Sequence, residues 1–447
     1  MVTAPLEPKA GSRPAGPATL ELTDLHASLT DPALGSMTFL NEIAQRFPEA
    51  ISFAPGRPYE GFFETSLVHR YLERYERHLR EDRGLGEDEV RRTFYQYGRT
   101  KGIVHELITR HLAVDEDIVA DPEAIVVTVG CQEAMFLVLR ALRTGPRDVL
   151  LAVSPTYVGI TGAARLVDMP VLEVREGPHG IDPAHLEEVV LDARAQGLRP
   201  RACYLIPDFS NPSGVSVDVP TRQALLDLAE RLDLLLLEDN PYGYFTAGGV
   251  PLPTLKSLDT RGRVVYLGSF AKTGLPGARV GYVLADQRVT AADGTSGLLA
   301  DELSKLKSML TVNTSPIAQA VIAGKLLTHD CALREANARE IALYRDNRER
   351  LLAGLARHFP PDSGSGVTWN VPHGGFFIVV TVPFPADDAL LEVSAREYGV
   401  LWTPMSHFGT GPGTECQLRL SLSSVTGPRI DEGLRRLAAL IGRTAPA

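Results

Sequence analysis

The sequence predicts an α/β protein, in which a large domain built on a mostly parallel sheet with flanking helices precedes a smaller α+β domain. Three observations support this prediction. Five short apolar runs are rich in β-branched residues and leucine, which is typical of strands buried on both faces of a parallel sheet. Amphipathic segments long enough for crossover helices lie between the runs. After about residue 310, strands and helices alternate in a different pattern.

Length, charge and cysteine content narrow the class of protein. At 447 residues, the chain can form two domains with sizeable cores. The 45 Lys and Arg residues against 55 Asp and Glu give a formal net charge of −10, which argues against a nucleic-acid or anionic-membrane partner. The four cysteines are far apart and indicate neither a zinc site nor a disulfide framework. No segment resembles a signal peptide or membrane span, so we expect a cytoplasmic protein.

The elements of the large domain follow in order. Residues 1–30, rich in Ala, Pro and Gly at their start, are expected to form a flexible tail, and the large domain is expected over residues 31–312. The predicted strands are AIVVTV from Ala124, VLLAV from Val149, ACYLI from Ala202, LLLL from Leu234 and VVYL from Val264. Segments such as CQEAMFLVLRALR and TRQALLDLAERLD are predicted helices. The link from Gly268 to Arg279 is too short and too rich in glycine for a crossover helix, so the strand VGYVLA is predicted to be antiparallel.

The small domain is expected over residues 313–447, with a contribution from the N-terminal segment of the large domain. Its predicted elements are a helical stretch (CALREANAREIALYRDNRERLLAGLARHF), a strand (FFIVVTV), a helix (DDALLEVSAREYGV), a strand (LRLSLS) and a final helix (IDEGLRRLAALIG).

Polar or glycine-containing segments follow each of the five buried strands. They read TVGCQEA, SPTYVG, IPDFSNPSG, EDNPYGY and GSFAK. Because the carboxyl ends of parallel strands form the ligand crevice of an open sheet, we expect these segments to converge. They would bring together a carboxylate, two aromatic rings, an amide, an amine and a cation: Asp239, Tyr157, Tyr242, Asn211, Lys272 and Arg279.

One of these segments has the chemistry of an anion site. Through Gly130, Cys131 and Gln132 a strand passes into a helix N-terminus, where free N–H groups and the helix dipole favour a phosphate. A phosphate site, an amine, an aromatic ring and a buried carboxylate together indicate pyridoxal 5′-phosphate as cofactor. The amine would bind the cofactor, and the carboxylate would keep its ring nitrogen protonated.

With these motifs, the sequence resembles the class I and II aminotransferases of PLP fold type I, in the branch of 2-aminoadipate, kynurenine and aromatic aminotransferases. The resemblance implies that Lys272 is the Schiff-base lysine and general acid/base, and that Asp239 pairs with the pyridine nitrogen. It further implies that Asn211 and Tyr242 hydrogen-bond the ring oxygen O3′ and that Tyr157 stacks on the ring.

The resemblance extends over roughly residues 30–445 and implies the remaining contacts. The phosphate would be bound by Gly130, Cys131, Gln132, Ser269 and Arg279. Tyr97 in FYQYGRTKG matches a tyrosine that reaches the phosphate of the neighbouring subunit, which implies a homodimer. Arg419 in QLRLSLS matches the arginine that binds the substrate α-carboxylate, and Gly56 in FAPGRP, with Asn211, would lie at the same carboxylate.

Several residues depart from the family pattern or stay open. Ala271 stands where relatives often have serine, and Cys416 where they often have asparagine. His373 and His407 are expected to be packed or pocket-wall residues, and no metal site is predicted. Arg57 is either a surface cation or a wall of the substrate entrance.

The activity implied by the resemblance is transamination between an amino acid and a 2-oxo acid. The segments LTDPALGSMTFLNEIAQRFPEAISFAPGRPYEGFF and SPTYVGITGAARL resemble the transaminases that make hydroxyphenylglycines for peptide antibiotics from arylglyoxylates and an aromatic amino donor. A general aromatic or 2-aminoadipate aminotransferase, a PLP lyase or oxidase, and a ligand-sensing regulator with a PLP fold remain alternatives.

Overall fold

The structure is a computed structural model that describes residues 18–177, 179–248, 251–409, 411 and 413–444. Most of the predicted tail lies outside these ranges, and its described part contains two short 3₁₀ turns, Leu22–Asp24 and Ala27–Thr30.

The helices and strands are labelled in chain order. The described helices are α1 Pro32–Arg46, α2 Thr65–Arg77, α3 Glu87–Tyr95, α4 His105–Glu116, α5 Gly130–Leu142, α6 Val158–Leu166, α7 Pro183–Ala195, α8 Val219–Arg231, α9 Leu255–Leu258, α10 Leu299–Leu310, α11 Pro316–Thr328, α12 Leu333–Ala336, α13 Ala338–His358, α14 Asp388–Val393 and α15 Gly427–Thr444. The described strands are β1 Ile51–Ser52, β2 Ile125–Val129, β3 Asp148–Ser154, β4 Val171–Gly177, β5 Gly180–Ile181, β6 Arg199–Leu205, β7 Leu235–Asp239, β8 Val264–Ser269, β9 Val280–Leu284, β10 Arg288–Thr290, β11 Ser296–Leu298, β12 Thr368–Trp369, β13 Phe377–Thr381, β14 Val400–Leu401, β15 Thr403–Pro404 and β16 Gln417–Ser421.

The apolar runs of the sequence form a central sheet with the strand order β2-β9-β8-β7-β6-β3-β4-β5. The pairs β3–β4, β3–β6, β6–β7 and β7–β8 are parallel. Crossover helices connect these strands. Both α7 and α8 begin at an aspartate N-cap, Asp182 and Asp218, with a proline in the first turn. The predicted parallel sheet and its five strands are confirmed.

Strand β9 is antiparallel to both β2 and β8, as the short link before it predicts. Because it runs in the opposite direction, it begins at the edge where the parallel strands end. Val280 pairs with Val129, which places the preceding Arg279 beside Gly130. The reversed strand therefore brings a cation to the helix N-terminus that starts at Gly130.

The sheet also contains β4, which the sequence reading did not include. Of its seven residues, only Val174 is fully buried, and charged residues alternate with the apolar ones. Because one face of this strand near the sheet edge meets solvent, its sequence lacks the continuous apolar run that marks the other strands.

A second, antiparallel sheet has the order β12-β13-β16-β15. Its buried residues share one apolar core with helices α13 and α15. The N-terminal segment joins this part of the molecule, since β1 pairs in parallel with β14 and the Phe53 N–H donates to the Leu401 carbonyl at 2.8 Å.

Helix α11 follows the boundary predicted at residue 312 but packs against α2. Its buried residues Ile322 and Leu326 lie in one core with Ile108 and Leu112 of α4. The predicted domain limits stay a prediction, and this packing favours a boundary after α11.

Among the described residues, no helix has the length and apolar character needed to cross a bilayer. Within the same ranges, no group of three or more His, Cys, Asp and Glu residues is arranged to hold a metal ion.

Candidate active site

A cavity of about 290 Å³ lies at the carboxyl edge of the central sheet. It brings together most of the residues that the sequence singles out: Gly56, Cys131, Gln132, Tyr157, Asn211, Asp239, Tyr242, Ser269, Lys272, Arg279 and Arg419. The segments that follow the five buried strands therefore converge on one cavity, as predicted. Arg57, which the sequence left open, also lines this cavity.

Lys272 follows the end of β8 by three residues, and its Nζ donates a hydrogen bond of 2.6 Å to the carbonyl of Gly56. Burial, with the charges of Arg279 and Arg419, lowers the pKa of Lys272 to about 8, while Asp239 opposes this shift. About a tenth of the amine is therefore uncharged at pH 7, far more than for an ordinary lysine, and the uncharged form can act as a nucleophile or base.

Asp239 is the last residue of β7 and is only 3% exposed. Its carboxylate accepts a hydrogen bond of 2.7 Å from the Tyr204 hydroxyl and a weaker one of 3.5 Å from the Cys131 thiol. Burial raises the pKa of Asp239 to about 6, and these donors together with the Lys272 charge oppose the shift. Above that pH the cavity holds an ionised, buried carboxylate.

The N-terminus of α5 lies directly beside Arg279. Gly130 has φ +70° and Arg279 has φ +51°. A Cβ at Gly130 would lie 2.4 Å from the Arg279 guanidinium, so only glycine allows this approach. The first N–H groups of a helix have no intrahelical partner, so a helix start that lies beside a cation is suited to an anion. Ser269 also lines the cavity, where its Oγ accepts from the Ala271 N–H at 3.2 Å.

The side chains of Cys131 and Gln132, at the start of α5, bind other groups of the protein. The Gln132 amide donates to the Gly159 carbonyl at 2.7 Å, and the Cys131 thiol contacts Asp239. Their predicted roles at a phosphate therefore depend on their backbone N–H groups.

Arg419 lies on β16 and is 4% exposed. Its guanidinium donates to the Asn211 side-chain oxygen, to the Ala54 carbonyl at 2.9 Å and to the Thr403 hydroxyl at 3.3 Å, all of them uncharged. Its Nε is buried and has no hydrogen-bond partner among the described residues. Burial lowers the pKa of Arg419 to about 10, so the guanidinium stays charged at neutral pH. A buried cation without a carboxylate partner in the described chain is suited to an anionic ligand.

Aromatic rings enclose Arg419 and the cavity. The guanidinium lies 4.2 Å from the centre of the Phe377 ring and 4.7 Å from that of Phe408. Tyr242 packs edge-on against Phe377, and its hydroxyl is 3.5 Å from the Asn211 amide nitrogen. Burial raises the pKa of Tyr242 and Tyr157, which keeps both phenols protonated.

Gly130, Tyr97, His373 and His407 do not line the cavity, and Gly130 lies beside Arg279. Tyr97 is 83% exposed and lies away from the cavity of its own chain. His407 is held by Ser36 and Asp388, each at 2.8 Å, as expected of a packed residue. For His373 the expectation of a packed or wall position is wrong: its side chain is exposed because the residue lies in a turn that its backbone holds, with its carbonyl accepting from the Ala247 N–H at 2.9 Å.

The sequence reading missed a buried network behind the cavity. Glu116 accepts from the Tyr266 hydroxyl at 2.7 Å, from the Asn240 amide at 3.1 Å and from the Tyr244 hydroxyl. Asn240 in turn accepts from the Gly243 N–H at 3.0 Å, which fixes the turn between Asp239 and Tyr244. The signals available in the sequence were tyrosines inside or beside buried strands, since a buried hydroxyl needs a partner.

The residues of the cavity fit pyridoxal 5′-phosphate. The close approach of Arg279 to the start of α5 offers a place for the phosphate. Asp239 offers a buried carboxylate for the ring nitrogen, and Lys272 offers an amine of lowered pKa. The free Nε of Arg419 offers a donor for a second anionic group.

Comparisons with known proteins agree with this chemistry. Residues 80–437 match the profile of the family "Aminotransferase class I and II". The (S)-3,5-dihydroxyphenylglycine transaminase of Amycolatopsis orientalis is 58% identical over 424 residues, 94% of either chain. The aromatic-amino-acid aminotransferase 1 of Thermococcus litoralis is 30% identical over 348 residues, 77% of this chain and 79% of that protein.

The fold of this chain is also similar to that of solved aminotransferase structures. The crystal structure of Pyrococcus horikoshii kynurenine aminotransferase, in complex with PMP, superimposes with a TM-score of 0.77 and 28% identity over 91% of this chain and 95% of that chain. The resemblance seen in the sequence and the predicted fold are thereby confirmed. The chain belongs to the class I and II aminotransferases, enzymes that use pyridoxal 5′-phosphate to transfer an amino group between an amino acid and a 2-oxo acid.

Proposed function

We propose that this aminotransferase forms an arylglycine of the 3,5-dihydroxyphenylglycine type from the corresponding arylglyoxylate, with an aromatic amino acid as donor. The 58% identity with the (S)-3,5-dihydroxyphenylglycine transaminase, along 94% of both chains, is the observation that carries this proposal. The aromatic walls of the cavity, Tyr157, Phe377 and Phe408, support an aryl substrate. The 30% identity with an aromatic-amino-acid aminotransferase favours a general aromatic aminotransferase as the second candidate.

We assign the chemical roles from the geometry of the cavity. When bound, pyridoxal 5′-phosphate supplies an electron sink for the substrate α-carbon. Lys272 would hold the cofactor and move the α-proton with its Nζ, whose pKa of about 8 suits a base near neutral pH. The Asp239 carboxylate would hold a proton on the ring nitrogen, and its Tyr204 partner fixes its position.

The remaining residues would position the cofactor and the substrate. Gly130, Cys131, Gln132, Ser269 and Arg279 would hold the phosphate, while Tyr157, Asn211 and Tyr242 would hold the ring. Arg419 and Gly56 would hold the α-carboxylate. A carboxylate bound by a buried guanidinium would lose this ion pair on leaving as neutral carbon dioxide, which disfavours decarboxylation and favours transamination.

The substrate proposal is tested with a panel of oxo acids. With L-tyrosine as donor, we expect kcat/KM for 3,5-dihydroxyphenylglyoxylate to exceed that for 2-oxoadipate and phenylpyruvate by about tenfold or more, the range that pocket complementarity supplies. Higher kcat/KM for phenylpyruvate would favour the general aromatic candidate. Release of ammonia, carbon dioxide or hydrogen peroxide in place of a new amino acid would point to a lyase or an oxidase.

Arg419→Lys is expected to separate substrate binding from cofactor binding. Lysine keeps the charge but loses the planar pair of donors, so KM should rise for both the amino donor and the oxo acid. We expect kcat/KM to fall by about 10- to 100-fold, the value of one or two charge-assisted hydrogen bonds, with the cofactor absorbance unchanged. The matched control is Arg279→Ala, which should lose cofactor and regain activity when cofactor is added. Loss of cofactor in Arg419→Lys at unchanged KM would contradict the carboxylate role.

We also propose a homodimer in which Tyr97 completes the site of the neighbouring subunit. Its exposed ring belongs to a patch of exposed apolar side chains on two adjacent segments: Tyr95, Tyr97, Met309, Leu310 and Val312. The segments touch, since a Cβ at Gly98 would lie 3.7 Å from the Asn313 amide. Exposed apolar side chains on two touching segments support a protein–protein contact.

Subunit complementation tests the role of Tyr97. Tyr97→Ala and Lys272→Ala are each expected to be impaired, but their heterodimer would contain one site built from intact residues of both chains. After mixing and reassociation, we expect activity to return to about one quarter of the wild-type level, because about half the dimers are mixed and each has one intact site. The control pairs Tyr97→Ala with the double variant Tyr97→Ala/Lys272→Ala, which offers no intact site. Equal activity in both mixtures would exclude a role across the interface.

We further propose that the enzyme works in the cytoplasm. All four cysteines, Cys131, Cys203, Cys331 and Cys416, are free thiols, which supports a reducing compartment.

A further inference from the structure

A short segment, residues 54–57, contacts both Arg419, which would bind the substrate α-carboxylate, and Lys272, which would move the α-proton. The Ala54 carbonyl accepts from Arg419 at 2.9 Å, and the Gly56 carbonyl accepts from Lys272 at 2.6 Å. The substrate side chain is attached to the α-carbon, whose carboxylate Arg419 would bind and whose proton Lys272 would move. Because residues 54–57 contact both Arg419 and Lys272, this segment, which ends at Arg57, lies beside the place where the side chain would begin.

The backbone of Arg57 is fixed at this position. The Ser423 hydroxyl donates to the Arg57 carbonyl at 2.7 Å. The preceding residue packs closely, since a Cβ at Gly56 would lie 2.4 Å from the Phe377 ring. The Arg57 side chain starts from a rigid base and lines the same cavity as Lys272 and Arg419.

The Arg57 guanidinium is weakly engaged within the chain. Its Nη1 lies 3.8 Å from a carboxylate oxygen of Glu60, beyond hydrogen-bond distance, and the two side chains are 48% and 76% exposed. Exposed pairs of this kind contribute little free energy and exchange readily with other partners. The Arg57 charge is also one of the causes that lower the pKa of Lys272, so its field reaches the reacting amine.

We propose that Arg57 determines substrate specificity by donating hydrogen bonds to the hydroxyl oxygens of the substrate's aryl ring. This inference rests on the proposed function, because it concerns the far end of an arylglycine. Phe377, Phe408 and Pro55 line the apolar part of the same cavity, so an aryl ring can pack there while its oxygens meet the guanidinium. Guanidinium offers five N–H donors and no acceptor, so a hydroxyl oxygen of the ring can accept from it.

The competing interpretation is that Arg57 is a solvated surface cation paired with Glu60. A second alternative is that its ligand is a side-chain carboxylate, as in a dicarboxylic substrate. Both would leave the discrimination between hydroxylated and plain aryl substrates unaffected.

The test compares wild-type holoenzyme with Arg57→Met and Arg57→Lys on three oxo acids: phenylglyoxylate, 3,5-dihydroxyphenylglyoxylate and 2-oxoadipate. Methionine keeps the length of the side chain without its donors, and lysine keeps the charge without the fork. For Arg57→Met we expect kcat/KM to fall by about 10- to 100-fold for the dihydroxylated acid, mainly through KM, and by less than about threefold for phenylglyoxylate. For Arg57→Lys we expect kcat/KM for the dihydroxylated acid to lie between the values of the wild type and of Arg57→Met. Glu60→Gln is the matched control and should keep the wild-type preference.

Binding without turnover gives an independent readout. Calorimetric titration of the holoenzymes with 3,5-dihydroxyphenylacetate and phenylacetate, which carry no amino or oxo group, should show a weaker Kd in Arg57→Met for the hydroxylated acid alone. An unchanged ratio of the two substrates, an equal loss for all three oxo acids, or a loss confined to 2-oxoadipate would each overturn the role of Arg57. If the wild-type enzyme converts neither arylglyoxylate, the proposed function itself is wrong; if it converts both and the ratio is unchanged in the variants, only the role of Arg57 is wrong.

Discussion

Replacing Lys272 with alanine is expected to lower kcat by about 10⁴-fold, even with excess cofactor, because the same amine would hold the cofactor and move the substrate proton. Its position supports both roles: Nζ lines the cavity, is bonded to the Gly56 carbonyl and has a pKa lowered to about 8. Steady-state kinetics of the purified variant, with cofactor content measured by absorbance, provide the measurement.

Borohydride reduction followed by peptide mass spectrometry is the companion experiment. In the wild-type protein, the cofactor is expected on the peptide that contains Lys272, and the variant should give no labelled peptide. Lys305, an exposed lysine on α10 that pairs with Glu302, provides the control, since Lys305→Ala should leave kcat and labelling unchanged. Labelling of a different lysine in the wild-type enzyme would contradict the assignment.

The second large effect is expected for Asp239→Asn. An asparagine cannot provide the negative charge that holds a proton on the ring nitrogen, so the electron sink should weaken. Removing a buried electrostatic partner of the reacting system typically costs about 10²- to 10³-fold in kcat. The measurement is kcat at saturating substrates, with the cofactor absorbance followed as a function of pH.

Tyr204→Phe is the control for this prediction, because it should perturb Asp239 less than Asp239→Asn does. It keeps the Asp239 carboxylate but removes the donor that lies 2.7 Å from it. Because that hydrogen bond lowers the pKa of Asp239, its loss should raise this pKa and reduce kcat by less than about tenfold. Near-normal turnover in Asp239→Asn would mean that a different group pairs with the ring nitrogen.

The sequence predicted the cavity well because strand order and strand direction determine which residues meet. The buried strands are continuous apolar runs, so their ends are visible in the sequence, and the polar residues after each end meet at one edge of the sheet. The reversed strand β9 was also predictable, since the link from Gly268 to Arg279 cannot form a crossover helix. Arg279, the residue directly before β9, therefore reaches the N-terminus of α5.

Other features depend on contacts that a linear pattern does not reveal. Tyr204 lies inside a buried strand and is indistinguishable by pattern from a core aromatic until Asp239 is placed beside it. The neighbours of Arg419 depend on the register of β16 with β13 and β15, which pairs it with Val379 and Thr403. The edge position of β4 and the packing of α11 against α2 likewise follow from tertiary contacts.

The central claim, transamination of an arylglycine at this cavity, is tested most directly by following the amino nitrogen. The wild-type holoenzyme is incubated with ¹⁵N-labelled (S)-3,5-dihydroxyphenylglycine and unlabelled 4-hydroxyphenylpyruvate, the reverse of the proposed direction, and the products are analysed by mass spectrometry. We expect the label in newly formed tyrosine, in an amount equal to the 3,5-dihydroxyphenylglyoxylate released. Label in free ammonia, or retention of the label in dihydroxyphenylglycine while the enzyme transfers nitrogen from other amino acids, would contradict the account.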